Sequence, residues 1–126
     1  MKLVIAIAAG GAVGALGRHF IAGQVMQLMG GAFPWGILFC NVAGSFVMGA
    51  LVELMTLKWS VGPDLRAFMT VGVLGAFTTF STFSLDTVLL LQRGATLAAA
   101  GYVIASVALS VLGLMAGLQL FRHLLT

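Results

Sequence analysis

Acidic side chains are nearly missing from this 126-residue chain: there are three in all, and none before Glu53. Basic residues number six, prolines two, and cysteine and tyrosine occur once each. With Cys40 as the only thiol, no disulfide can form within the chain, and its position in an apolar run marks it as a packing residue. The scattered basic residues give a formal charge of +3, too dispersed to form a phosphate-binding face, so nucleic acid is not an expected partner. His19 and His123 have no metal-ligand spacing to any other candidate, and no nucleophile–base pair is visible. Nothing in the chain supports a soluble enzyme.

What the chain has in abundance is apolar surface. It is 61% hydrophobic and 7% charged, with a mean hydropathy of +1.16, so the bilayer is its solvent. A helix needs roughly 20 mostly apolar residues to cross the hydrocarbon. The chain therefore reads as one all-α transmembrane domain over residues 1–126, with spans at about 3–25, 35–57, 65–91 and 96–121. Gly30, Gly31 and Pro34 punctuate the first connection, Gly62 and Pro63 the second, and Gln92, Arg93 and Gly94 the third. Lys2 and the apolar run after it resemble a signal peptide, but Arg18 falls where such a segment would end, so a retained first span is expected. Trp35 and Trp59 sit at opposite ends of the second span, where indole rings favour the headgroup level.

Four crossings put both termini on one side together with Lys2, Lys58, Arg66 and Arg122, against Arg93 and the intramembrane Arg18. That bias weakly favours cytoplasmic ends and is compatible with insertion in both orientations. Small residues recur four apart: Gly10 and Gly14, Ser45 and Gly49, Ser106 and Ser110, Gly113 and Gly117. Such faces serve either packing within the subunit or an interface between copies.

The third span carries the unusual residues, Gly72 to Ser84. Gly72 and Gly75 weaken a helix near its centre, and β-branched Thr78 and Thr79 follow, so a local break exposing carbonyl oxygens is expected, with an unbroken helix as the alternative. Freed carbonyls in lipid need a partner, which protein donors, water or a cation can supply. Phe77, Phe80 and Phe83 recur every three residues beside Ser81 and Ser84. Ring edges are positive and hydroxyls donate without charge, a combination that replaces part of a small anion's hydration shell. In the plainer reading the rings face lipid and the hydroxyls bond back to the preceding turn.

Asn41, deep in the second span, must pair with a substrate or another helix. Arg18 either draws anions into a vestibule or pairs with a carboxylate or a helix C-terminus. Glu53 and Asp86 lie toward span ends, where interfacial solvation is the expectation.

These residues resemble the small bacterial fluoride channels of the Fluc or CrcB family. Three ordered segments carry the likeness: Thr78 to Ser84 after Gly75; Gly10, Gly11, Gly14 and Arg18; and Gly36, Leu38, Asn41, Gly44 and Gly49. The resemblance implies a dual-topology, antiparallel homodimer of four-helix subunits in the bacterial inner membrane, with two fluoride pores along the subunit boundary and the third helix broken at the dimer centre. It implies a structural sodium ion on the backbone carbonyls of Gly75 and Thr78 from both copies. Fluoride would meet Phe80, Phe83 and Asn41, with Ser81, Thr82 and Ser84 extending a polar track, Tyr102 and Ser110 contributing from the fourth helix, and Arg18 in the vestibule. Conduction would be passive and would protect a cell accumulating fluoride. Two positions depart from the family pattern: Ile37 stands where Thr is common, and Asp86 where Glu is usual.

The main rival, a small proton-coupled multidrug exporter, needs a carboxylate in its first span, and residues 3–25 contain none. An accessory membrane subunit would explain the small-residue faces but not the stripe of hydroxyls and rings.

Overall fold

The computed structural model describes Met1–Thr126 and contains four helical spans. Helix α1 is Lys2–Met29 and α2 is Trp35–Leu57. The third span is composite: α3 (Pro63–Ala67), a π turn (Phe68–Leu74), α4 (Gly75–Phe77) and α5 (Phe80–Gln92). Helix α6 is Thr96–Leu125. The outer helices run beyond the apolar stretches, α1 through Gln27 and α6 through Arg122 and His123. Leaving the hydrocarbon does not end a helix whose backbone bonds are already made within it. A backbone change does so at Gly30, with φ of 68° followed by 76° at Gly31, a conformation that favours glycine.

Small residues set which spans meet. A Cβ built at Gly10 would stand 2.4 Å from the Phe68 carbonyl oxygen, and one at Gly14 would stand 2.1 Å from that of Val73. Reciprocally, one at Gly72 would meet the Gly10 Cα at 2.8 Å. Helix α1 and the π turn therefore touch backbone to backbone, and the wide turn fills the groove left by the two glycines. On the other side, Gly49 and Gly117 let α2 and α6 close together, with Cβ positions 2.1 Å from Leu114 O and 2.2 Å from Phe46 O. These pairs serve packing within the subunit.

Two expectations are corrected. Of the four residues over which a break is expected, the two glycines remain helical: Gly72 lies within the π turn, and Gly75 has φ −62°, ψ −36°. The interruption falls later, at Thr78 (φ −91°, ψ 153°) and Thr79 (φ −152°, ψ 124°), where β-branched side chains accept extended backbone readily. Nor is Glu53 solvated at an interface. It is 4% exposed, and its carboxylate receives Arg122 Nε at 3.3 Å across the α2–α6 seam, which also accounts for the charge at the end of α6.

Candidate functional site

The Thr78–Thr79 interruption is held from three sides. Thr78 folds back on its own helix, donating both its amide (3.0 Å) and its hydroxyl (2.9 Å) to the Leu74 carbonyl. From α2, the Asn41 side chain pairs with the Thr79 backbone twice. Its Nδ2 donates to Thr79 O at 3.2 Å, and its Oδ1 accepts from Thr79 N at 2.7 Å. From α1, Arg18 Nη1 donates to Ala76 O at 3.0 Å. The Thr79 hydroxyl then caps α5 by accepting from Thr82 N at 3.1 Å.

These bonds have a consequence for two carbonyls. In an unbroken helix Gly75 O would accept from the Thr79 amide, and Thr78 O from the Thr82 amide. The first amide is turned to Asn41 and the second is taken by the Thr79 hydroxyl. Gly75 O and Thr78 O thus lose their helical partners, and both residues line a cleft of about 420 Å³ between α2, the third span and α6.

The same cleft is lined by Asn41, Ser45, Phe80, Phe83, Ser106 and Ser110. It holds no charged side chain. Phe80 is 78% exposed, and its ring lies 5.5 Å from that of Phe83. Opposite them on α6, Ser106 Oγ and Ser110 Oγ are buried and have no hydrogen-bond partner. A buried hydroxyl without a partner is costly, so two of them on residues that border the cleft are an unmet capacity to donate.

Other predicted residues are placed differently. Arg18 does not line this cleft; its guanidinium is committed to the Ala76 carbonyl at the end of α4. Ser84 Oγ bonds back to Phe80 O at 2.9 Å, and Ser81 Oγ lies 3.3 Å from Thr79 Oγ1. Neither they nor Thr82 line the cleft. Tyr102 is fully buried, its ring 5.2 Å from Phe83, and its hydroxyl donates to Asp86 Oδ2 at 3.2 Å. Asp86 is accordingly a partnered carboxylate, and it borders a second cleft of about 390 Å³ with His19 and Ile37. Ser106 and Ser45 are the lining residues that sequence reasoning read as packing positions. The signal was present in the four-residue spacing of Ser106 and Ser110, which puts two hydroxyls on one face of α6.

Residues 5–118 match the family described as CrcB-like protein, Camphor Resistance (CrcB). A protein of Rhodospirillum centenum named "Fluoride-specific ion channel FluC" is 53% identical over 122 residues, covering 97% of both chains. Proteins of the same name from Chelativorans sp. and Rhizobium meliloti are 50% and 46% identical; the first alignment covers 99% of this chain and 100% of its relative, the second 97% and 98%. All three carry the name of an ion channel and none that of an enzyme. With a family match over most of its length and relatives aligned nearly end to end, this chain belongs to the CrcB-like family.

Proposed function

We propose that this protein is a fluoride-selective channel that lets fluoride leave the cytoplasm down its electrochemical gradient and so confers fluoride resistance. The observation that carries the reading is an uncharged cleft lined by Asn41, Phe80, Phe83, Ser106 and Ser110, in which the two serine hydroxyls are buried and have no hydrogen-bond partner. The names of the relatives supply the identity of the ion.

The chemistry suits a small, strongly hydrated anion. To enter, fluoride must exchange water for donors that hold it without trapping it. Hydroxyl hydrogens of Ser106 and Ser110 and the positive ring edges of Phe80 and Phe83 are such donors, each weak and none charged. One Nδ2 hydrogen of Asn41 goes to Thr79 O, leaving the second to donate toward the cleft. Ser81, Thr82 and Ser84 would continue the polar track along α5, with Tyr102 fixing the far ring through its stack on Phe83. No proton is transferred and no covalent step is required.

The cleft is open on one side, and Phe80 stands largely uncovered. A second, antiparallel copy in the bacterial inner membrane would close it and make two pores along the boundary. The Gly75 and Thr78 carbonyls, both free of helical partners, form an oxygen-only donor set suited to a hard cation. In the dimer, these carbonyls from both copies would hold a sodium ion, which would supply fixed positive charge.

The test is efflux from liposomes containing the purified protein, with chloride and empty vesicles alongside. Rapid fluoride efflux without chloride efflux, reduced in Phe80→Ile and Asn41→Asp, is the expected result. A folded protein that releases no fluoride would overturn the reading.

A further inference from the structure

Arg18 is the one guanidinium well inside a span, where an unpaired charge costs several kcal/mol. Its surroundings say what it does there. The last carbonyls of α4 have no intrahelical donors, and they carry the negative end of the helix dipole. Arg18 Nη1 sits 3.0 Å from one of them, Ala76 O. One turn earlier on α1, Gly14 lets the backbone at Val73 approach so closely that a Cβ would stand 2.1 Å from its carbonyl oxygen. One turn before that, Gly10 does the same for Phe68. A single α1 stripe, Gly10, Gly14 and Arg18, thus grips the third span from the π turn to the end of α4. Across the interruption, Asn41 grips Thr79 from α2.

We propose that Arg18 is a positioning residue. It holds the end of α4 against α1 so that the Gly75 and Thr78 carbonyls and the Phe80 ring keep their places at the cleft, and it does not act by attracting anions. The claim rests on the channel reading for its effect on flux, and on structure alone for its effect on the interruption.

The two roles separate experimentally. An attracting charge is screened by salt, so its loss matters most at low ionic strength and fades as salt rises. A brace acts the same at every ionic strength. Arg18→Gln and Arg18→Lys are reconstituted, and fluoride efflux is measured from low to high ionic strength with an impermeant salt. The expected result is a loss of about tenfold or more in Arg18→Gln, constant across salt, with Arg18→Lys partly restored because its ammonium can still donate to Ala76 O. Full activity in Arg18→Gln, or a defect in Arg18→Gln that vanishes at high salt, would overturn the proposal.

Amide hydrogen exchange provides a readout independent of flux. In Arg18→Gln, exchange at Thr78 and Thr79 should rise about tenfold or more while α6 is unchanged. Unchanged exchange at those two amides would also overturn the proposal. Should the wild-type protein conduct no fluoride, the channel reading fails, and the exchange result still decides whether Arg18 holds the interruption.

Discussion

The two faces of the third span are built on opposite plans. Toward α1, backbone meets backbone: Gly10, Gly14 and Gly72 leave no room for a methyl group, and Arg18 occupies the one nearby helix end. Toward α6, the seam is loose. Only Leu90 of α5 is buried, Phe80 stands exposed, and two buried hydroxyls on α6 have nothing to bond. A helix in lipid is normally obliged to satisfy its own polar groups. Here the tight face does the holding, and that allows the loose face to keep unsatisfied atoms. The interruption at Thr78–Thr79 lets one span do both.

The sharpest way to break this contrast is to fill the tight face. Gly14→Val puts a side chain where even a Cβ lies 2.1 Å from a carbonyl oxygen that cannot move aside. We expect a loss of about 3 kcal/mol or more, and little folded protein on size-exclusion chromatography in detergent. Arg122→Ala tests the α2–α6 seam by stranding the buried Glu53 carboxylate. The expected cost, followed by thermal unfolding in detergent, is about 1–3 kcal/mol, because the guanidinium it loses was itself largely exposed. Gly11→Ala sharpens the comparison from the other direction. Gly11 neighbours Gly10 on α1, but nothing lies within 4 Å of its Cβ position. This substitution should leave flux unchanged and stabilise the helix slightly, by up to about 1 kcal/mol.

The four spans were legible because each apolar run is bounded by glycine, proline or charge, and these signals are local. So was the pairing of Phe80 and Phe83, three apart on α5, whereas Phe77 lies before the interruption and Ser81, Thr82 and Ser84 stand outside the cleft. The location of the interruption was not. Propensity marks Gly72, Gly75, Thr78 and Thr79 alike, yet both glycines stay within helical turns and only the threonines are extended. What decides the matter is Asn41, whose partner Thr79 is 38 residues away, and Arg18, whose partner is 58 away. The same distance effect hid the Glu53–Arg122 pair, 69 residues apart. For Arg18 the sequence leaves a vestibule, a carboxylate and a helix C-terminus open, and the fold puts its guanidinium on the Ala76 carbonyl. Ser106, named with Ser110 on a small-residue face, is ambiguous for a different reason. Serine at four-residue spacing is as good a packing residue as a donor, and only the absence of a partner on the facing helix separates the two.

That ambiguity makes Ser110→Ala the most direct test of the account, with efflux and stability measured on the same preparation. A hydroxyl kept only for packing gives a variant with full fluoride efflux. A hydroxyl that lines the ion path, buried without a protein partner, gives the opposite pairing: fluoride efflux reduced several-fold, with stability unchanged or raised by about 1 kcal/mol as an unsatisfied polar group is removed. Undiminished fluoride efflux from a stably folded Ser110→Ala protein would contradict the claim that the loose face conducts.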